Sequence, residues 1–571
     1  MMRLIKPSAV VTPTKLRRGF LLAAVLAVAP LMAAVEPKTS LTMDQQASRF
    51  LSQATFGPTP ASIAELRGLD YDYNRWIDLE AAKPASSATA LLQAAKNAGQ
   101  ITTFDRGTNR RARTQVMLAG TDQLRQRVAY ALSQIMVISD FESAISNGQE
   151  GSSSYYDMLA RNALGSFRTL LMDITRHPMM GRYLTHYKNR KANPTTGTQP
   201  DENYAREVMQ LFTIGLYQLT SDGTNVTDAS GRPVETYTNA NISEFARVFT
   251  GFTDENNNPN AVGTGAGRTD FPAATQNYTQ PMLMWEFQHD QGSKTLLSYP
   301  GARKSVLPAN QGGLQDVADA LENLIEHPST APFIARQLIQ RLITSNPSPA
   351  YVGRVAAVFV NNGAGQRGDL LAVVRAILLD AEARNLSTIA QPNSGKLKEP
   401  FLRVTGLLRA MHYTVQDGTL PYDFGSTISE STIGQFPLAS SSVFNFYLPD
   451  HRPPGPIDAA GLVGPEYQIL TSVFAVTLPN ALYTITQTGA GRFALNLADQ
   501  EALAASPPAL LDNLNLLLVH GTMSDATRNA ILAAVNGVTV AMVPSGITFN
   551  QTRARLAVYL VAISPEAAVS K

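Results

Sequence analysis

Apolar residues recur at three- and four-residue spacing along most of the chain, which is the pattern of amphipathic helices. Residues 44–56 show this spacing, and Gly57 with the proline that follows ends it. The same spacing predicts helices at residues 60–67, 122–138, 203–215, 331–343, 369–383 and 398–411. Asn241 and Glu244 have capping-box spacing and predict one more helix start. We therefore predict a mainly α fold, with one large multi-helix body over residues 44–565.

Long segments rich in Gly, Asn, Thr and Pro separate these helices. They cover residues 189–201, 221–239, 254–281, 300–313 and 417–441. We expect these irregular loops to pack over the helical body, with a small β-hairpin within residues 280–298. The glycines of residues 363–368 match the spacing of a dinucleotide-binding loop. Helical rather than strand spacing precedes them, so they predict a helix–helix linker with Asp369 as the next cap.

Residues 1–34 have the composition of an export signal. A basic segment reaches Arg18, and the apolar run at 20–29 is too short to span a bilayer. The pair Arg17-Arg18 ahead of two apolar residues also fits a twin-arginine signal, so an ordinary secretory leader and a twin-arginine leader both stay open. Either one predicts a periplasmic or extracellular protein. No later segment has the apolar length of a transmembrane span, so we expect none in the mature chain.

The absence of cysteine and the charge balance exclude several classes of protein. Without thiols the chain cannot be a disulfide scaffold, an iron–sulfur protein or a thiolate zinc protein. The chain has 47 basic and 45 acidic side chains, a net charge of +2. Residues 1–34 hold five of the basic and none of the acidic ones, which leaves 42 against 45 in the body. A slightly acidic body offers no broad cationic field to a phosphate backbone, so we expect no nucleic-acid partner.

The predicted helix at 203–215 carries the first candidates for chemistry. No G-x-S-x-G or H-E-x-x-H string occurs in the chain, so neither common hydrolase template applies. Arg206 and Glu207 lie on a polar stripe of this helix, apart from its apolar face. The competing interpretation is a solvated face on which Arg206 pairs with Glu202, four residues earlier.

The second candidates are His289 and Asp290. A histidine beside a carboxylate has the character of a general base or a metal ligand, whereas residues 290–293 alone have the composition of a turn. We predict that this segment meets the 203–215 helix in one site. In that site Glu207 or His289 would act as base and Arg206 would hold an anion.

Eight strings spread over the chain are more specific together than any one alone. They are RFLSQATFGPT at 49–59, LRQRVAYALSQIMVIS at 124–139, DENYAREVMQLFTIGL at 201–216, EFARVFTGF at 244–252, FQHDQGSKTLL at 287–297, HPSTAPFIARQLIQRLI at 327–343, KLKEP at 396–400 and VFNFYLPDHRPPG at 443–455. In this order they resemble the bacterial family called domain of unknown function 1800 (DUF1800). The string at 201–216 is the most diagnostic, and the resemblance covers nearly all of the mature chain.

The resemblance implies an exported, mainly helical protein with no established reaction. Relatives are often encoded beside an exported protein of the DUF1501 family, which implies a partner of that kind. Many relatives carry a Trp-His-Asn-His-like run where this chain has residues 130–134, so the resemblance implies that a histidine-ligated metal is not expected here.

Two functions of different classes therefore stay open. One is an accessory or binding protein that acts with an exported partner on a cell-envelope or extracellular polymer. The other is an extracytoplasmic, hydrolase-like enzyme with Arg206, Glu207, His289 and Asp290 around one cleft. Convergence of these four side chains in a concave pocket would favour the enzyme, and their separation would favour the accessory protein. The sequence assigns no cofactor and leaves metal binding undecided.

Overall fold

The structure is a computed structural model that describes residues 40–146, 148–255, 271, 276–416, 420 and 422–571. Within these residues the body is built of α-helices, and the strands are two or three residues long. This confirms the predicted mainly α fold. The predicted export signal at 1–34 and parts of the predicted loops 254–281 and 417–441 lie outside the described residues.

The helices of the first half of the chain pack against those of the second half. They are α1 (Met43–Ala54), α2 (Pro60–Gly68), α3 (Tyr73–Ala82), α4 (Ala88–Asn97), α5 (Arg106–Ala119), α6 (Gln123–Ser133), α7 (Gln149–Asn162), α8 (Phe167–Arg176), α9 (Pro178–Tyr183), α10 (Asn203–Gln210) and α11 (Asn239–Val248). The predicted helix at 203–215 ends early at Gln210, yet Phe212 in the turn that follows is still fully buried.

The helices of the second half continue the same body. They are α12 (Gly313–Glu326), α13 (Thr330–Leu342), α14 (Pro349–Val360), α15 (Leu370–Leu379), α16 (Ala381–Arg384), α17 (Leu386–Ile389), α18 (Pro400–Ala410), α19 (Glu430–Ile433), α20 (Pro456–Ala459), α21 (Ser472–Thr488), α22 (Ala498–Leu503), α23 (Pro507–Leu518), α24 (Asp525–Asn536), α25 (Phe549–Ala562) and α26 (Pro565–Ala568). The 3₁₀-helices Pro465–Gln468 and Val540–Met542 also belong to this half. Both halves contribute buried apolar side chains to one continuous hydrophobic core.

Short antiparallel strand pairs fasten the loops. The strands are β1 (Phe252–Thr253), β2 (Leu283–Met284), β3 (Lys294–Thr295), β4 (Val306–Leu307), β5 (Lys396–Leu397), β6 (Tyr413–Val415), β7 (Phe493–Leu495) and β8 (Val569–Ser570). They pair as β1–β2, β3–β4, β5–β8 and β6–β7. The hairpin predicted within residues 280–298 is misplaced, because β2 and β3 of that segment pair with β1 and β4 and not with each other.

Side-chain caps start many of the helices where the sequence predicts them. Thr59 caps α2 with Pro60 in the first helical position, as predicted. Asp369 accepts from the backbone N of Ala372 at 3.1 Å and starts α15, which confirms the glycine string at 363–368 as a linker. The helix predicted from Asn241 begins earlier, because Thr238 is its cap.

The turn between α1 and α2 packs tightly against α18. Gly57 in this turn has a φ of 132°, and a β-carbon there would lie 2.7 Å from the Cα of Gly406 in α18. Arg409 of α18 fixes the same turn by donating from Nε to the carbonyl oxygen of Gly57 at 2.9 Å. This contact forms one wall of the cavity described below. Among the described residues, no helix combines the length and the hydropathy needed to cross a membrane.

Candidate functional site

Arg206 lies on the solvated face of α10. Its Nη2 is 3.6 Å from Oε2 of Glu202, and both side chains are 41% exposed. An exposed pair at this spacing contributes only ~0.2–0.5 kcal/mol to helix stability. Arg206 therefore follows the competing interpretation, a surface ion pair within one helix.

Glu207, the next residue, faces the interior. Its side chain is buried, and Oε2 accepts no hydrogen bond from any described residue. Burial raises the pKa of Glu207, and the charge of Arg206 opposes this only in part. Glu207 is thus a buried carboxyl group with one unpartnered oxygen and no cation bonded to it.

His289 belongs to a second, fully buried group that we call the Asp316 cluster: Thr250, His289, Lys294 and Asp316. Nδ1 of His289 lies 3.0 Å from the carbonyl oxygen of Thr250, and Nε2 lies 3.0 Å from Oδ2 of Asp316. Both partners are acceptors, so both ring nitrogens donate. Lys294 Nζ is 2.6 Å from the same carboxylate, which gives every member a partner.

Asp290 turns away from this cluster and pairs with Arg247 of α11. Its carboxylate accepts from Nε and Nη2 of Arg247 at 3.1 and 3.0 Å, and from the backbone N of Gly292 at 2.8 Å. Burial alone would raise the pKa of Asp290, but the bonds from Arg247 and Gly292 outweigh it and lower the pKa. The bond to Gly292 confirms the turn interpretation of residues 290–293.

The four candidate side chains form no direct bonds across the two segments. No hydrogen bond or ion pair in the described residues joins Arg206 or Glu207 to His289 or Asp290. Helix α11 packs against α10 and supplies the cation that Asp290 uses. Arg206 thus pairs with Glu202, and Asp290 pairs with Arg247, instead of with each other.

A different group of polar side chains does converge, around an internal cavity of about 60 Å³. The cavity lies where α1, α6, α18 and α23 approach the β5–β8 pair. We call it the cationic cavity, because Arg127, Lys396, Lys398, Arg403 and His520 line it. Its lining among the described residues contains no Asp or Glu.

The KLKEP string explains how two of these cations enter the cavity. Lys396 and Lys398 are two residues apart on extended backbone, so their side chains point to the same side. The backbone N of Lys398 continues the β5–β8 pairing by donating to the carbonyl oxygen of Ala568 at 2.7 Å. Pro400 then starts α18 at its first position and places Arg403 on the cavity side of the first turn.

Lys396, at one end of the cavity, is fully compensated. Its Nζ lies 2.9 Å from Oε1 of Glu466 and 3.8 Å from Oε1 of Glu399. It also donates to the carbonyl oxygens of Gln340 and Arg341 at 2.8 and 3.0 Å. This end of the cavity is a buried structural ion pair.

Glu399 accepts several hydrogen bonds at this compensated end. It accepts from the Tyr130 hydroxyl at 2.7 Å and from Nε2 of Gln435 at 2.6 Å, and Gln134 donates to it as well. Burial alone would raise the pKa of Glu399, but the charges of Lys396 and Arg127 and the bonds from Tyr130 and Gln435 outweigh it and lower the pKa. Tyr130 and Gln134, the first and last residues of the segment 130–134, thus both bond to this buried carboxylate.

Lys398 and Arg403 at the other end meet no carboxylate in the described residues. Lys398 Nζ has one hydrogen-bond partner in the described chain, Nε2 of His520 at 3.3 Å. Arg403 donates from Nη2 to the carbonyl oxygen of Ala562 at 3.0 Å, and its Nε is buried without a partner. Arg127 belongs to the compensated end: its Nη2 donates at 2.8 Å to the carbonyl oxygen of Arg341, which Lys396 also uses, and Glu399 supplies a nearby counter-charge.

Lys398 and Arg403 hold positive charge without a local counter-charge. Burial lowers the pKa of Arg403 to about 10, and no carboxylate opposes the shift, so the guanidinium stays charged at neutral pH. Burial and the charge of Arg403 lower the pKa of Lys398 to about 8. Unpaired buried donors and cations are costly, and an anion that accepted from them would remove that cost. The geometry is therefore that of a site for a phosphate, sulfate or carboxylate group.

Part of this site lies in sequence strings that carry the family resemblance. Lys396 and Lys398 stand two apart inside the KLKEP string, and Arg127 stands inside the string at 124–139. His520 lies in an apolar segment with nothing around it to mark it. In the described part of the chain, no cluster of three or more His, Asp or Glu side chains could hold a metal ion.

Residues 49–569 match the family model described as Protein of unknown function (DUF1800). The match spans nearly the whole chain and includes every residue assigned to the cationic cavity. No curated protein and no solved structure matches the chain. The chain belongs to the DUF1800 family.

Proposed function

We propose that this member of the DUF1800 family is an exported accessory protein that binds an anionic group of a cell-envelope or extracellular polymer. The observation that carries the proposal is the uncompensated end of the cationic cavity. There Lys398 and Arg403 present positive charge to one internal space, and Nε of Arg403 has no acceptor among the described residues. Donors of this kind form charge-assisted hydrogen bonds with oxyanions.

The size of the cavity limits what it can take. Roughly 10–15 Å³ is enough for one water molecule, so a cavity of about 60 Å³ holds a few waters or one small oxyanion group. A phosphate, sulfate or carboxylate substituent of a polymer has this size, whereas a sugar ring does not. Lys398 and Arg403 are only partly buried, which gives such a substituent a way to reach them.

Export and a partner of the DUF1501 kind are part of the same proposal. The leader pattern of residues 1–34 supports export to the periplasm or beyond. The family resemblance supports the exported partner. An extracytoplasmic enzyme built on Arg206, Glu207, His289 and Asp290 has no comparable support, because these side chains bond to other groups.

Titration calorimetry on the mature chain, with inorganic phosphate, sulfate and acetate at constant ionic strength, tests the proposal. We expect one saturable site, and we expect Arg403→Gln to weaken it at least ~10-fold, since one charge-assisted hydrogen bond is worth ~1.5–3 kcal/mol. Arg232→Gln, which removes an exposed cation paired with Asp228, is the matched control and should bind like the wild type. Equal weakening in both variants, or no saturable site with any of the three anions, would contradict the proposal.

A further inference from the structure

We propose that Lys398 is an amine nucleophile that forms an imine with an aldehyde or ketone whose anionic group occupies the cationic cavity. This inference rests on the proposed anion site and adds a covalent step to it. The substrate class is a small oxo compound that carries a carboxylate or a phosphate close to its carbonyl carbon.

The hydrogen bonds around His520 fix the form of its ring. Ser48 Oγ lies 2.6 Å from the carbonyl oxygen of Leu516, to which only the hydroxyl can donate. Ser48 therefore has no proton left for His520, and Nδ1 of His520, at 2.8 Å, must donate to Ser48 Oγ. In the neutral ring this leaves a lone pair on Nε2.

That lone pair faces Lys398. Nε2 of His520 is 3.3 Å from Nζ of Lys398, so the amine donates and the imidazole accepts. Burial and the charges of Lys398 and Arg49 keep the pKa of His520 well below its ordinary value, in agreement with a neutral ring. With its own pKa lowered to about 8, Lys398 carries a reactive amine lone pair near neutral pH, as nucleophilic lysines in desolvated sites do.

The backbone at His520 supports a dedicated role. His520 has a φ of 57°, a left-handed conformation that side chains with a β-carbon disfavour. Such strained positions concentrate at functional sites, where the surrounding structure holds them in place. The bonds to Ser48 and Lys398 hold the ring at this position.

The chemistry balances with these groups and the carbonyl compound alone. Nζ of Lys398 attacks the carbonyl carbon, the new C–N bond forms, and the π pair of the C=O bond moves to oxygen. The two N–H protons of the amine pass in turn by way of Nε2 of His520 to that oxygen, which leaves as water. The product is a neutral imine, and nothing is oxidised or reduced. Lys398 is the reacting group, and His520 is its proton acceptor and positioning residue.

Glyoxylate with cyanoborohydride traps such an imine as a stable carboxymethyl amine. On the mature wild-type chain we expect Lys398, mapped by peptide mass spectrometry, to react at least ~10-fold faster at pH 7.5 than the exposed Lys96, since each pKa unit changes the amine fraction tenfold. Glycolaldehyde, which is of similar size but uncharged, should label Lys398 much more slowly. Inorganic phosphate should protect Lys398 and not Lys96.

Two variants keep the result interpretable. Lys398→Arg should lose the adduct but keep phosphate binding, because it retains the charge. His520→Gln should slow labelling at every pH while phosphate still binds. In the wild type, labelling of Lys398 should reach its half-maximal rate near pH 8, about two units below N-acetyl-lysine.

The outcomes separate the two proposals. Phosphate binding with no preferential labelling of Lys398 would overturn the nucleophile and leave the anion site standing. Labelling at equal rates by glyoxylate and glycolaldehyde, without protection by phosphate, would overturn the proposed anion site and with it the substrate class. Labelling unchanged in His520→Gln would remove His520 from the step.

Discussion

The Asp316 cluster and the cationic cavity are both buried and polar, yet only the cluster has a carboxylate among its members. In the cluster, Asp316 faces Lys294 and His289, and each donor reaches an acceptor. In the cavity, Lys398 and Arg403 meet no carboxylate in the described residues, and donors are left over. Buried polar groups normally satisfy one another. A cluster in which every donor has an acceptor therefore requires no ligand. We expect a cavity with unpaired buried donors to bind one.

The same difference between paired and unpaired charge separates Lys396 from Lys398, the two lysines of the KLKEP string. Lys396 faces Glu466 and Glu399 and completes a structural pair. Lys398 faces a neutral imidazole and an open cavity. Both residues are lysines of one short string. Their tertiary surroundings therefore distinguish the structural lysine from the functional one.

Lys396→Met should have the largest effect, a loss of ~3–5 kcal/mol in the free energy of unfolding. The substitution leaves Glu466 and Glu399 buried without their cation, which is far more costly than losing both partners of a pair. Urea denaturation followed by circular dichroism measures the loss. A change below ~1 kcal/mol would show that this end of the cavity is not compensated by Lys396.

Asp316→Asn should cost slightly less, ~3 kcal/mol, because the amide keeps an acceptor oxygen but no longer balances Lys294 and His289. Asp319→Asn is the matched control, since Asp319 lies three residues on in α12 and pairs with the exposed Lys304. It should cost below ~1 kcal/mol in the same denaturation experiment. Equal losses in both variants would remove the distinction between a buried cluster and a surface pair.

Lys398→Met should act in the opposite direction and stabilise the anion-free protein by ~1–3 kcal/mol at pH 7, because it removes an uncompensated buried charge. The gain should shrink as the pH rises above about 8, where folded Lys398 is already neutral. Denaturation at pH 7 and pH 9 measures both effects. Destabilisation at pH 7 would mean that Lys398 has a counter-charge after all.

His520→Gln should change the pH dependence of stability. The pKa of His520 is lowered well below its ordinary value in the folded chain, so the unfolded chain binds the proton first as the pH falls. The stability that neutral His520 contributes is therefore present above pH ~6.5 and is lost below it, by up to ~1.4 kcal/mol per pH unit. The wild type should lose stability more steeply than His520→Gln between pH 6.5 and 5. Parallel profiles would contradict a neutral, buried His520.

Arg206→Ala should have the smallest effect, no more than ~0.5 kcal/mol in thermal denaturation, because its pair with Glu202 is exposed. A loss above ~2 kcal/mol would return Arg206 to the candidate residues, since only a buried partner could account for it.

Local pattern was enough to predict the helical part of this protein. Helix periodicity located α1, α13, α15 and α18 to within a few residues, and turn chemistry located the linker at 363–368 and the turn at 290–293. These features depend on residues close in sequence: a cap and the backbone three residues on, or apolar positions one turn apart. The boundaries were wrong where a neighbouring cap intervened, as Thr238 does for α11.

The site was decided by the tertiary structure. Lys398 meets His520 across 122 residues, and Tyr130 meets Glu399 across 269 residues, so no local pattern could show which charges find partners. The sequence by itself determined the helices, the loops, the family and the positions at which polar residues stand. Only the packing of α6, α18 and α23 around one cavity decided which of those charges are compensated, because burial makes an unpaired charge costly and exposure does not.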